Sequence, residues 1–218
     1  ASDVYKRQPF IQISDGSDTT KNDSSGLSLS TIIVDGLRAG LGDSRKGPLT
    51  SVAQAHALAM SLNPLSLRLR RMRPWILSGN WINGALDTTY DPVYSYLRDH
   101  LSAEGSIRVI PVTEVVNLDF NNYSWLERSD IGEAIRDWNN SDLQNCERIM
   151  GSLVRPVLNS SLPSTSRLEE LLWHCVLGSG WKSDLASQIS IAQSNWGDFT
   201  PIESASIVAD SLVSTGQI

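Results

Sequence analysis

Four arginines stand within six residues, Arg68, Arg70, Arg71 and Arg73, and Trp75 follows two positions later. A guanidinium is a planar, permanently charged fork that matches phosphate oxygens, and an indole offers a face on which a base can stack. Residue types and spacing therefore point to a nucleic-acid or other anion site made of Arg68, Arg70, Arg71, Arg73 and Trp75. Two other uses compete for the same residues: pairing with acidic helices elsewhere in the chain, or contact with an anionic membrane surface. Asn63-Pro64 can open a short helix with Leu65, Leu69 and Met72 on one side. A strand would instead put Leu65, Leu67 and Leu69 on one face and Arg68 and Arg70 on the other. Both arrangements leave several guanidiniums exposed.

The charge distribution sharpens the question. Residues 1–75 hold ten Lys/Arg against six Asp/Glu, a net of +4, and residues 76–218 hold eight against eighteen, a net of −10, which together make the −6 of the whole chain. A basic first third before an acidic remainder suits either an internal electrostatic contact or an anionic partner for the basic part.

The spacings that mark common catalytic and cofactor sites are missing. Gly36, Gly40, Gly42 and Gly47 surround Arg45 and Lys46, but Gly47 follows the lysine where a phosphate loop needs Ser or Thr. A surface loop is the expectation there. His56, His100 and His174 fall on predicted helices and read as lacking a second His or a carboxylate at i+4, so no metal and no cofactor is expected. His174 adjoins Cys175, yet neighbouring helix positions point about 100° apart. Cys146 with His174 is a conceivable dyad across two helices, and both cysteines are expected as buried thiols. Glu169, Glu170 and Asp137 read as solvated or capping charges. Gly178-Ser179-Gly180 lacks the GxSxG spacing of a nucleophile elbow. The Asn-x-Ser triplets at Asn22, Asn122, Asn139 and Asn159 are what chance yields in so Asn- and Ser-rich a chain.

The elements that would carry these residues are mostly helical. Residues 14–26 contain no apolar side chain, and Ser2 to Gln8 resembles translated adapter read-through, so 1–26 is expected to be disordered or artefactual. A single mainly helical domain over 27–218 should follow. Thr31–Val34, ended by Asp35-Gly36, reads as a short strand, and Pro48 as the first residue of a helix. Asp91-Pro92 starts a helix with Val93, Tyr96, Leu97 and Leu101 inward and Gly105 as its stop. Capping pairs are expected at Asp130/Glu133, Ser141/Gln144, Ser166/Glu169 and Thr200/Glu203, with Gly178 and Gly216 as stops. A helix over about 183–196 and extended structure over 107–118 complete the pattern. Of seven tryptophans, Trp138 and Trp173 fall on apolar faces and belong to the core, whereas Trp81, Trp125 and Trp181 lie in turn-rich context suited to a protein contact.

The fold class expected is mainly α, a helical bundle with a minor β element, α+β being the variant. Mean hydropathy is −0.17, and no apolar run approaches the roughly 20 residues that span a bilayer, so no membrane-spanning segment is expected. The function expected is a non-enzymatic structural or assembly protein, soluble and inside the cell or a virion. It would be of coat or nucleocapsid type, self-associating, with its Arg-rich segment facing nucleic acid or an acidic partner. Alternatives are an enzyme whose site is dispersed, with Asp35, Glu114, Asp119, Cys146 and His174 as its titratable groups, or a helical interaction domain of a longer chain.

Overall fold

A computed structural model describes residues 10–14, 26–37, 44–158, 163–198 and 200–218, and its architecture is mainly α with a minor β element. Among the described residues the strands form three two-stranded sheets. In the first, β1 (Phe10–Ile13) lies parallel to β2 (Gly26–Leu29). β1 thus falls inside the stretch expected to lack order, while most of the polar linker lies outside the described residues. In the second sheet β3 (Ile32–Leu37) runs antiparallel to β4 (Arg45–Leu49). Pro48 therefore sits in a strand, opposite Ile33, and not at a helix start. A proline lacks the N–H that an inner strand must donate, but a two-stranded ribbon consists of edges and tolerates it. Its carbonyl accepts from Asn80 Nδ2 at 2.8 Å.

The helix begins instead at Ser51, because the Thr50 hydroxyl accepts from the Ala53 N–H and closes the end of α1 (Ser51–Leu62). The chain then forms α2 (Leu67–Met72), a 3-10 turn over Arg73–Leu77, α3 (Ser78–Ile82), α4 (Ala85–Thr88) and α5 (Pro92–Ala103). Asp91 caps α5 by accepting from Val93 and Tyr94 N–H, and Gly105 at φ +77° reverses the chain after it. Val93 and Leu101 are buried and Leu97 packs on the core as expected, but the inward face also takes in other residues and leaves out Tyr96. Tyr94, in the second core, and Arg98, which pairs with a buried carboxylate described below, are buried, and Tyr96 is exposed.

Three helices of the acidic part follow: α6 (Arg128–Trp138), α7 (Leu143–Val154) and α8 (Thr165–Leu172). Their starts slip by one to three residues from expectation. Glu127 precedes α6, Asp142 caps α7 by accepting from Asn145 N–H, and Ser164 caps α8 by accepting from Arg167 N–H. Where Ser and Asp cluster, several oxygens qualify as caps and packing selects among them. Next comes β6 (Cys175–Gly178), paired antiparallel with β5 (Ile107–Ile110), so Gly178 ends a strand and not a helix. Four buried residues are too few for periodicity to tell strand from helix. The strand alternates: Cys175 and Leu177 face one core, with Tyr123, Met150 and Leu172, and Val176 faces the other, with Leu77, Tyr94 and Leu185. Two helices end the described chain, α9 (Leu185–Asp198) and α10 (Pro201–Thr215), the latter with the expected Thr200/Glu203 capping box and Gly216 at φ +81°.

Trp138 packs against the first core as expected, whereas other tryptophans differ from the expectation. Trp75 and Trp181 meet in the second core with ring centroids 5.4 Å apart, Trp81 packs against both cores, and Trp173 is 39% exposed.

Candidate anion-binding surface and adjoining cleft

The arginine segment takes the helical option. Ser66 caps α2 by accepting from the Leu69 N–H, and the Leu69 carbonyl lies 2.9 Å from His56 Nε2 on α1. Anchored on its Leu69 side, α2 turns Arg68, Arg70 and Arg71 to the exterior. None of these three makes an ion pair among the described residues; Arg70 reaches the Pro64 carbonyl at a long 3.5 Å. Arg73 behaves differently. Its Nη1 lies 3.0 Å from both Glu104 Oε1 and Ser106 Oγ and is half-buried. Pairing with an internal carboxylate therefore accounts for Arg73 and leaves the other three free.

Trp75 is the correction. It is 8% exposed, its Nε1–H donates to the Gly216 carbonyl at 2.9 Å, and its ring packs on Trp181. Pro74 sits in the 3-10 turn that carries the chain from the surface into the core, so the indole face expected to meet a base is already covered. Beside the arginines, Leu62, Leu65 and Leu67 are exposed at 75%, 77% and 66%.

A cleft of about 900 Å³ lies between α9, α10 and the 117–121 segment, and Thr215 and Gln217, on either side of Gly216, are among its lining residues. Asn117, Asn121, Lys182, Asn195, Ser211 and Gln217 line it. Its walls are tied by backbone and side-chain bonds: Asn117 N–H to the Lys182 carbonyl at 2.9 Å, Asp119 N–H to Ser187 Oγ at 3.0 Å, and Ile218 N–H to Gln188 Oε1 at 2.6 Å. Behind it Asp184 is buried and caps α9 through Ser187; burial raises its pKa, and the hydrogen bonds from Ser187 offset part of that rise. Nothing periodic marks these residues in the sequence, where Asn and Ser read as neutral surface.

A second polar group lies between α5 and α8. Arg98 pairs with the buried Glu170 and, at 2.8 Å, with the exposed Asp99. His174 Nδ1 lies 3.0 Å from Arg98 Nη1, so it accepts there and its proton belongs on Nε2. Burial works against the Arg98 charge, yet the Glu170 carboxylate outweighs it and holds the guanidinium more basic than usual. Glu170 Oε2 is buried without a hydrogen-bond partner among the described residues. Glu170 is thus no solvated helix-face charge, although Glu169 is exposed. The Glu170/His174 and His100/Glu104 spacings of i, i+4 are signals that the sequence reading passed over.

The dispersed titratable groups do not converge. Asp35 faces Lys46 at 3.8 Å, Glu114 accepts from Trp138 Nε1–H, Asp119 caps a turn at Asn121, and Cys146 Sγ faces the Trp138 and Ser141 carbonyls. His174 is engaged with Arg98 instead. Cys175 is on a strand, and burial pushes its thiol pKa well up, which disfavours the nucleophilic thiolate. Among the described residues no three His, Cys, Asp or Glu side chains gather as metal ligands, and no helix is long and apolar enough to cross a membrane. Comparison of the chain with protein families, curated proteins and solved structures yields no match, so the functional reading rests on the geometry of α2 and its surroundings.

Proposed function

We propose that this chain is a non-enzymatic structural or assembly protein, of the coat or nucleocapsid kind, whose α2 face engages the phosphate backbone of a nucleic acid. One observation carries it: Arg68, Arg70 and Arg71 stand exposed without a carboxylate partner among the described residues, in a chain whose formal charge is −6. Three like charges on one short helix repel each other, and phosphates neutralise them while releasing counterions. With Trp75 inside the core, the α2 face itself recognises charge and not base identity. The separate structural engagements of Asp35, Glu114, Asp119, Cys146 and His174 support a binding role over a catalytic one. Exposed Leu62, Leu65 and Leu67 offer an apolar contact for a second copy of the chain.

Fluorescence anisotropy with a labelled, unstructured RNA tests the binding. Three phosphate contacts predict a loss of roughly 20-fold in affinity from 50 to 200 mM salt, and weaker binding by Arg70→Ala/Arg71→Ala. Affinity indifferent to both salt and substitution overturns the proposal, as does binding to anionic vesicles without binding to RNA. Light scattering that grows on adding RNA supports assembly; a monomer at every concentration, with RNA bound, contradicts it.

A further inference from the structure

We infer that the cleft beside α2 holds a nucleotide of single-stranded RNA and favours RNA over DNA, an inference that rests on the phosphate-binding reading of α2. The cleft and the arginines are contiguous. A Cβ placed on Gly216 would lie 3.1 Å from the Arg71 Cβ, and the residues on either side of Gly216, Thr215 and Gln217, line the cleft. The α2 helix and the cleft thus share the end of α10 as a common border.

Size and lining fit a nucleotide. The cleft is open to solvent, and its volume of about 900 Å³ leaves room for one nucleotide. The side-chain amides of Asn117, Asn121, Asn195 and Gln217 make no hydrogen bond to the described chain, and the Lys182 ammonium makes no ion pair there. Each amide offers a donor and an acceptor, the complement of base edges and of a ribose hydroxyl. The lining contains no aromatic ring, so a base is held by its edges and its sugar and not by stacking. A base can enter only from an unpaired strand, and the 2′-OH is the group by which such a site distinguishes RNA from DNA.

The test measures anisotropy of the full chain with a labelled oligouridine and with the matching deoxyuridine oligomer. Asn121→Ala/Asn195→Ala removes two uncharged cleft groups, and Arg70→Ala/Arg71→Ala weakens the phosphate face; circular dichroism melting verifies that each variant folds. Wild type should bind RNA roughly tenfold more tightly than DNA, the scale of one or two hydrogen bonds. The cleft variant should bring RNA down to the DNA level with DNA affinity unchanged, and the arginine variant should weaken both by a common factor. Equal RNA and DNA affinities in wild type, or discrimination that survives in the cleft variant, overturn the cleft assignment and leave the α2 face standing. Binding of neither oligomer overturns both.

Discussion

Gly216 ends α10 at φ +81° with its α-carbon against Arg71, while its carbonyl accepts the indole N–H of Trp75 at 2.9 Å. One residue thus docks the arginine helix, ties down a core tryptophan and borders the polar cleft. Gly216→Ala should cost about 1–2 kcal/mol from the left-handed backbone alone. The new Cβ, 3.1 Å from the Arg71 Cβ, should also push α2 and weaken RNA binding. Thermal unfolding of the variant checks this, and an unchanged midpoint contradicts it.

Trp75→Phe separates a structural tryptophan from a stacking one. The phenyl ring leaves the Gly216 carbonyl without its donor and a gap against Trp181, for a loss of roughly 1–3 kcal/mol. RNA affinity of the folded variant should not change. If it falls at a temperature where the protein is fully folded, the indole contacts the nucleic acid after all.

The Arg98–Glu170 pair should behave as a clamp between α5 and α8. Breaking a buried pair leaves one charge uncompensated at ~3–5 kcal/mol. Glu170→Gln should fall at the low end, about 3 kcal/mol, because Asp99 stays bonded to the guanidinium. Urea unfolding measures it. The double variant Arg98→Met/Glu170→Leu should recover much of the loss, and additive losses would show that the two side chains act independently.

Asp184 makes stability depend on pH in a direction unusual for a carboxylate. Its folded pKa is raised by burial, so above the unfolded value of about 3.9 the folded state holds the proton more tightly. Stability from this group is greatest at low pH and declines as pH rises from the unfolded pKa through the raised one. Asp184→Asn keeps an oxygen to cap α9 and should flatten that decline while leaving stability at neutral pH equal or higher. A variant with the wild-type slope would place the pH dependence elsewhere.

Local chemistry was readable and distant contact was not. Thr200, Pro201, Glu203 and Gly216 announce both ends of α10, and Asp91-Pro92 with Gly105 does so for α5, because caps satisfy backbone groups a few residues away. The burial of Trp75 depends on a carbonyl 141 residues later, and that of Glu170 on an arginine 72 residues earlier. Residue type alone made the first a binding group and the second a surface charge. Sequence alone makes β6 a helix, because its four residues pack between two cores that only the fold creates. The cleft draws on the 117–121 segment, α9, α10 and the residues after α10, and so left no local pattern.

The most direct test of the α2 face is the salt dependence of RNA affinity in wild type and in Arg68→Ala/Arg70→Ala/Arg71→Ala. Each single-strand phosphate contact contributes about 0.7 to the slope of log affinity against log salt concentration, so removing three should make the slope shallower by about 2. The triple variant should melt as wild type does, since none of the three is ion-paired among the described residues. A shallower slope with weaker binding is the predicted result. The same slope and the same affinity in both proteins would contradict it.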